Sequence, residues 1–304
     1  MKTVILDFDN KKQMTKPLSI GLGFFESLHL GHGKVMDRVF LMAEKLDADT
    51  AIITFAKENE FDKSVLFTYQ ERLRIYERYT NRSSKIGFVI VIPFTDEIKK
   101  MPAAEFIDKL TTNFNVKALI YGSSYRFGFK AEGTPGLLEK WSKAKGYLAK
   151  RVDCCYFNST VASSSYAKTL LKNGNLIGVN AILGRFFSIE GEVVKGQERG
   201  KTLGFPTANL KVAKEKMIPV PGVYKTITTV DKAKYPSITH IGGKPTFHDL
   251  DDSIETHIVD YSGDLYGKII TISFIKKIRD IQTFDSVKEL IEQIKKDLLI
   301  ARQL

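Results

Sequence analysis

The chain has 304 residues and a formal net charge of +11, so it is long enough for two domains that each bury a hydrophobic core. Its composition, 43% hydrophobic and 27% charged, is typical of a globular protein, and no apolar run is long enough to cross a bilayer as a helix. Cys154 and Cys155 are the only cysteines, and because they are adjacent they exclude a disulfide framework and favour a reducing cytoplasm. Lysines and arginines are dispersed along the chain, so the charge alone does not indicate a nucleic-acid or membrane partner.

Strand-like and helix-like segments alternate through the first half of the chain. The N-terminal segment lacks a signal-peptide cleavage site and predicts a first strand. Four further strands are each followed by a helix: "LSIGLG" then residues 34–46, "TAIITF" then 69–79, "IGFVIVIPF" then 103–114, and "VKALIYG" then 137–145. This alternation predicts a Rossmann-like α/β domain, with a parallel sheet covered by helices on both faces.

The pattern changes near residue 183. Short strands separated by glycine and proline turns follow, namely "SIEGEVVKG", "GVYKTITTV", "ETHIVDY" and "GKIITISFIKKI". They predict a small antiparallel β-barrel. Ser286 and Glu289 fit a capping box, and apolar residues recur every four positions after it, so a C-terminal helix is expected. The sequence therefore predicts two domains, residues 1–183 and 184–304.

The segment "GLGFFESLHLGHGK" holds two of the five histidines in the chain. It follows a predicted parallel strand and begins a helix, and anionic ligands bind at that edge of such sheets. His29 and His32, one turn apart, are therefore candidate phosphate-binding residues. Two alternatives stay open at this point: a metal site formed with Glu26, and histidines that only cap or pack.

The segment "GFPTANL" holds a second candidate site. Thr207 and Asn209 are two residues apart, so in an extended segment their oxygens lie on the same side and suit Mg²⁺ or its bound phosphates. Proline, threonine and asparagine also favour turns, so a purely structural turn is the alternative. The flanking "KGQERGKTLG" supplies the glycines and cations of a phosphate-covering loop: Lys195, Gly196, Arg199, Gly200, Lys201 and Gly204.

Several segments, in order and over nearly the whole chain, resemble the bacterial bifunctional riboflavin kinase/FMN adenylyltransferase (FAD synthetase) family, whose first domain is of the HxGH nucleotidyltransferase type. In the first half they are "GFFESLHLGH", "VIPFTDEIKKMPAAEFI", "YGSSYRFG", "SSSYAKTLLKNGNL" and "NAILGRFFSIEGEVVKG". In the second half they are "RGKTLGFPTANL", "PGVY", "HIGGKPTF", "ETHIVDYSGDLYGK" and "IRDIQTFDSVKELIEQIKKD". Each block is weakly specific by itself, whereas their order and spacing together are highly specific.

The resemblance implies a cytoplasmic enzyme of flavin biosynthesis that uses ATP and Mg²⁺, with riboflavin, FMN, FAD, ADP and pyrophosphate as its other substrates and products and no nucleic-acid or membrane partner. It implies Glu255 as the general base of the kinase and Arg279 as a residue near the flavin, although Arg279 also fits an ion pair. His29 and His32 would bind the ATP phosphates in adenylyl transfer. Further ATP or phosphate contacts are implied at Gly23, Phe25, Ser164, Ser165, Lys168, Lys195, Gly196, Gly204, Thr207 and Asn209, the last two also as metal ligands.

The sequence departs from the family pattern at the first site. Glu26 and Ser27 stand where the family has Asp-Gly, and a serine disfavours the left-handed backbone that glycine adopts freely. Ser124 replaces an aspartate, and Lys168 replaces an arginine and so loses a bidentate phosphate contact. The segment "TFAKENEF" also lacks a Pro-His-Pro motif. Three hypotheses follow: a bifunctional enzyme, a riboflavin kinase with an impaired adenylyltransferase-like domain, and a basic nucleic-acid-binding protein on the same scaffold.

Overall fold

The computed structural model describes residues 1–6, 14–56, 64–81, 84–196, 199–244 and 249–303. The chain forms two compact units, Met1–Ser164 and Ser165–Leu304. Residues 165–183 group with the second unit because their helices pack there: the Asn180 side-chain amide donates hydrogen bonds to the carbonyls of Phe274 and Ile275. That residues 1–183 and 184–304 fold as independent domains stays a prediction.

The first unit contains a six-stranded parallel sheet with strand order β1-β6-β3-β2-β7-β8. Its strands are β1 (Lys2–Ile5), β2 (Met14–Leu22), β3 (Asp49–Ala56), β4 (Thr80–Asn81), β5 (Ser84–Lys85), β6 (Phe88–Pro93), β7 (Phe114–Gly122), β8 (Leu148–Val152), β9 (Tyr156–Phe157) and β10 (Thr160–Val161), of which β4–β5 and β9–β10 form small separate hairpins. Its helices are α1 (Leu30–Lys45), α2 (Tyr69–Arg78), α3 (Asp96–Lys100), α4 (Ala103–Asn113) and α5 (Pro135–Lys145).

Both faces of this sheet are buried, because successive side chains of a strand point to opposite faces. In β3, Ala51 and Ile53 belong to one hydrophobic cluster, while Ile52 belongs to the other. In β7, Leu119 and Ile120 divide in the same way. This arrangement confirms the predicted parallel sheet with helices on both sides.

The first helix begins earlier than the sequence indicated. It was expected over residues 34–46 and begins at Leu30, because the His29 side chain caps its first turn. The second helix begins at Tyr69, as expected, with a complete capping box between Thr68 and Glu71. Within the described ranges, no helix is long and apolar enough to cross a membrane.

The second unit is a closed antiparallel barrel with strand order β11-β12-β15-β14-β13-β16, and β11 pairs with β16 to close it. This confirms the predicted barrel. Its strands are β11 (Phe187–Val194), β12 (Ala208–Lys211), β13 (Gly222–Val230), β14 (Ala233–Lys244), β15 (Asp249–Ile258) and β16 (Ile269–Arg279). Its helices are α6 (Ser164–Lys172), whose first residue closes the first unit, α7 (Leu176–Leu183), the short α8 (Arg199–Thr202) and the C-terminal α9 (Val287–Arg302).

Part of the barrel interior is polar. Five fully buried hydroxyl side chains lie there and bond to one another at 2.8–3.4 Å. They are Thr226, Thr228, Ser237, Thr239 and Thr256. These residues mark the inner face of β13, β14 and β15, so their sequence neighbours on the same strands point outwards.

Candidate active sites

The segment that carries both histidines, residues 23–32, is called the histidine turn. It follows the C-terminal end of β2, at the sheet edge where ligands of parallel sheets bind. Phe25 is fully buried with a left-handed φ of 49°. Its carbonyl accepts a 2.8 Å hydrogen bond from the Tyr76 hydroxyl, and burial raises the pKa of Tyr76 to about 12. A Cβ on Gly23 would lie 3.1 Å from the Phe25 ring, so glycine lets this ring close over the backbone.

The two histidines stack at the start of α1, with ring centroids 3.8 Å apart. His29 Nδ1 accepts hydrogen bonds from the backbone N–H groups of Gly31 at 3.1 Å and His32 at 3.4 Å. An acceptor nitrogen carries no proton, so the neutral His29 ring holds its proton on Nε2. His29 is thus both a helix cap and a potential Nε2–H donor to an anion. The ring of His32 also packs 4.9 Å from that of Phe25.

The acidic residue of the turn has a structural contact. Glu26 Oε1 accepts a 3.2 Å hydrogen bond from the backbone N–H of Leu66. In the part of the chain that the structure describes, no group of three or more His, Cys, Asp or Glu residues could hold a metal ion. The alternative of a metal site formed by Glu26, His29 and His32 is therefore wrong for the described residues.

Ser27 is accommodated without left-handed backbone. Among the described residues of the turn, positive φ occurs at Phe25 and at Leu28, where it is 42°, but not at Ser27. Ser27 is fully buried, and its hydroxyl lies 2.8 Å from the Ser164 hydroxyl. The conflict expected between a serine side chain and a glycine conformation is thus absent at this position.

The other candidates of the first site lie on α6 and in the loop after β7. Ser164 begins α6 and reaches the histidine turn through Ser27. Ser165 is exposed, and Lys168 is half-buried one turn after Ser164 on the same helix. Ser124 is exposed, 3.9 Å from the Cys154 thiol.

The second candidate site lies on the outer face of the barrel, where Thr207, Asn209 and Glu255 meet; it is called the barrel site. Asn209 on β12 pairs directly with Glu255 on β15. The Thr207 hydroxyl donates a 3.3 Å hydrogen bond to Glu255 Oε2, and the Ser253 hydroxyl donates one of 3.4 Å to Oε1. All three residues are half-buried, so the site is open to a ligand.

The glycine-rich loop before β12 closes against the barrel site. A Cβ on Gly196 would lie 2.2 Å from Asn209 Nδ2, and one on Gly200 would lie 3.3 Å from Thr207 Oγ1. Gly204 has a left-handed φ of 85° and lies in the turn that returns the chain to β12. Lys195 is exposed at the edge of this loop. Only glycine permits these close approaches without displacing the oxygen-bearing side chains.

Arg279 lies at the end of β16 and forms an ion pair with Asp297 of α9. Its Nη2 lies 2.9 Å from Asp297 Oδ2, and its Nε donates to the same carboxylate at 3.0 Å. Asp297 is 2% exposed and also accepts a 2.8 Å hydrogen bond from the Gln293 amide. The guanidinium lies 5.8 Å from the Phe284 ring centroid. Arg279 is thus in a partly buried ion pair rather than on the open surface.

Comparison with known proteins gives one family match over each part of the chain. A family described as FAD synthetase matches residues 11–166, and one described as riboflavin kinase matches residues 183–304. The bifunctional riboflavin kinase/FMN adenylyltransferase of Bacillus subtilis is 30% identical over 98% of this chain and 96% of the relative. The protein of the same name from Buchnera aphidicola subsp. Acyrthosiphon pisum is 30% identical over 99% of this chain and 97% of the relative. The one from Escherichia coli K12 is 31% identical over 93% of this chain and 91% of the relative. The chain belongs to this family.

The fold of this chain also occurs in a solved structure. A crystal structure described as a macrolide-efflux protein from Streptococcus pneumoniae aligns over 100% of both chains, with a TM-score of 0.87 and 24% identity. At that identity the likeness shows the fold alone.

The structure adds two tyrosines, Tyr261 and Tyr266, that the sequence did not single out. A cavity of about 230 Å³ at the end of the barrel is lined by Lys201, Thr207, Tyr261 and Tyr266, among others. It places two aromatic rings and a lysine beside the barrel site. No short motif marks these tyrosines; only the return of the β15–β16 connection to the start of β12 brings them there.

Parts of three family motifs fall outside the described residues. They are residues 57–63, which include the end of "TFAKENEF", residues 197–198 of "KGQERGKTLG", and residues 245–248, which include the last three residues of "HIGGKPTF". The Pro-His-Pro segment is absent from the sequence that follows β3.

Proposed function

We propose that this chain performs both reactions of its family, phosphorylating riboflavin to FMN at the barrel site and adenylylating FMN to FAD at the histidine turn. ATP is the co-substrate of both reactions, and ADP and pyrophosphate are the respective by-products. The observation that carries the kinase assignment is the meeting of Thr207, Asn209 and Glu255 on two paired strands beneath a glycine-rich loop.

In the kinase reaction, Glu255 is the general base. Its carboxylate accepts hydrogen bonds of 3.3 Å from the Thr207 hydroxyl and 3.4 Å from the Ser253 hydroxyl, and a half-buried carboxylate can accept the proton of the ribityl 5′-hydroxyl. That hydroxyl attacks the γ-phosphate of ATP, and ADP leaves. Gly196 and the loop around Lys201 would cover the phosphates, with Lys195 and Gly204 in the same loop.

The donor set of the barrel site suits Mg²⁺. Thr207 and Asn209 supply a hydroxyl and an amide oxygen, and Mg²⁺ needs few protein ligands because water and phosphate oxygens complete its shell. The Thr207 proton is directed to Glu255, which leaves the oxygen lone pairs for a cation. When bound, Mg²⁺ would neutralise charge on the ATP phosphates.

The flavin would extend from Glu255 towards Arg279. Strand pairing aligns these residues in one row through His240 and Val223, across β15, β14, β13 and β16. Three strand spacings of about 4.8 Å separate the ends of this row by about 14 Å. An elongated substrate could therefore place its reacting hydroxyl at Glu255 and its ring system towards Arg279.

In the adenylyl reaction, positioning and charge stabilisation replace a protein nucleophile. The FMN phosphate attacks the α-phosphate of ATP, and pyrophosphate leaves. His29, through Nε2–H, and His32 would bind the ATP phosphates, with Gly23 and Phe25 shaping the turn. Ser164, Ser165 and Lys168 on α6 would supply hydroxyl groups and one cation, although a lysine gives only a single-point contact.

The substitutions at Ser124 and Lys168 favour the second candidate function, a riboflavin kinase whose first unit no longer forms FAD. Both changes remove a charged or bidentate group that the family pattern supplies. The cytoplasmic location and the absence of nucleic-acid and membrane partners stay predictions.

The test is a time course with flavin-free protein, riboflavin, ATP and Mg²⁺, in which riboflavin, FMN and FAD are separated by chromatography. We expect FMN first and FAD later. Glu255→Gln should reduce FMN formation by about 10²-fold or more and leave FAD formation from added FMN intact. The double variant His29→Ala with His32→Ala should abolish FAD formation and leave FMN formation intact. FMN as the sole product, with added FMN unconverted, would support the kinase-only function.

A further inference from the structure

We propose that His257 is a positioning residue of the kinase reaction, which holds the Pro206 carbonyl and thereby fixes Thr207 in the barrel site. The inference rests on the proposed kinase function. His257 Nδ1 lies 2.8 Å from the Pro206 carbonyl oxygen, across 51 residues of sequence. Because a carbonyl oxygen can only accept, Nδ1 must carry the proton.

The contact lies where backbone pairing ends. Strands β12 and β15 pair only through Ala208 with Thr256 and Asn209 with Glu255. Continuing this register would place Thr207 opposite His257, but the described strand β12 begins at Ala208. The position of Thr207, a proposed ligand of Mg²⁺, is therefore not fixed by the backbone ladder.

The residue before Thr207 limits what else could hold the segment. Pro206 has no backbone N–H, so its carbonyl is the only group that it can offer to the neighbouring strand. His257 and Glu255 are two residues apart on β15 and share its outer face. The imidazole thus supplies the hydrogen bond that a longer ladder would have made.

An aromatic contact supports the same placement. The rings of Phe205 and His257 meet edge-on, with centroids 5.9 Å apart and planes at 82°. Phe205 is itself tied to the glycine-rich loop, because its N–H donates to the Gly200 carbonyl at 2.8 Å. His257 therefore connects the strand that carries the general base with the loop that leads into the metal-binding segment.

The hydrogen bond from Thr207 to Glu255 explains why the contact between His257 and the Pro206 carbonyl matters. At 3.3 Å their hydrogen bond is already long, so a small outward shift of residues 205–207 would break it. The same shift would move the Thr207 oxygen away from the cation and phosphates. Loss of the His257 contact should then weaken productive binding of ATP with Mg²⁺ more than binding of riboflavin.

Three variants separate the hydrogen bond from simple loss of a ring: His257→Asn, His257→Gln and His257→Ala. The amide nitrogen of Asn lies near the position of Nδ1, whereas that of Gln lies near the position of Nε2. We expect Ala and Gln to lower kcat/KM for ATP in FMN formation by about tenfold or more, as small displacements of reacting groups do, while KM for riboflavin changes little. Asn should restore most of the activity.

FAD formation from added FMN serves as the control, and we expect it to be unchanged in all three variants. Equal kinetics of Ala and wild type would overturn the inference, and so would an Asn variant as impaired as Ala. A wild-type protein that forms no FMN would instead overturn the proposed kinase function, and this inference with it.

A measurement on the folded wild-type protein does not depend on activity. Nitrogen-detected NMR of the imidazole signals, with the His257 signal assigned by through-bond correlation to its own backbone in the wild-type protein, should show the neutral ring protonated on Nδ1. A neutral ring protonated on Nε2 would overturn the inference even if the variants failed to fold.

Discussion

Ser27 gives a direct test of whether the departures from the family pattern damage the histidine turn. Ser27→Gly restores the residue type that the family has at this position. Because the Ser27 backbone is not left-handed and its hydroxyl bonds to Ser164, we expect glycine to destabilise the first unit rather than relieve strain. Formation of FAD should not increase.

The magnitude follows from two contributions. Loss of the buried hydroxyl contact, isolated by Ser27→Ala, should cost about 0.5–1.5 kcal/mol. Glycine should cost about 0.5–1 kcal/mol more than alanine, because it gains backbone freedom in the unfolded chain. At about 2–4 °C per kcal/mol for a unit of this size, Ser27→Ala should lower the unfolding temperature of the first unit by a few degrees and Ser27→Gly by more.

Differential scanning calorimetry of the full chain, with the two units followed as separate transitions, gives the order of stability. We expect wild type to be more stable than Ser27→Ala, and Ser27→Ala more stable than Ser27→Gly. A glycine variant that matched or exceeded the alanine variant, or that formed FAD several-fold faster than wild type, would refute this account of the turn.

Two further predictions concern the barrel. Gly196→Ala places a Cβ 2.2 Å from Asn209 Nδ2, so the Asn209 amide must move. The rate of FMN formation should then fall about 10- to 100-fold, while FAD formation from added FMN stays unchanged. Kinetics like those of wild type would show that Asn209 is not a ligand. Thr239→Val removes two hydrogen bonds of the buried cluster, those to Thr226 and Thr256, and should destabilise the barrel by about 1–3 kcal/mol in urea unfolding. The matched control Thr229→Val, on the outer face, should change the free energy of unfolding of the barrel by less than about 0.5 kcal/mol. Equal effects of the two variants would mean that the hydroxyl cluster adds no stability.

The sequence predicted the elements whose signals are local. "TAIITF" became β3 because its apolar run is long enough for a strand buried on both faces, and Tyr69 begins α2 because Thr68 and Glu71 form a capping box. The edge strand β8 was missed, because its mostly exposed side chains carry no apolar run. The start of α1 was misplaced by four residues, because a histidine cap is not among the usual capping residues.

Sequence patterns alone were enough to predict a parallel α/β unit followed by an antiparallel barrel, the family, and the candidate residues His29, Thr207 and Glu255. The contacts that hold these residues in place depend on the tertiary structure. The Ser27–Ser164 contact joins residues 137 apart in sequence, and the His257–Pro206 contact joins residues 51 apart. Such contacts leave no periodic or local signal, because they depend on which strand ends and loops the completed sheet and barrel bring together.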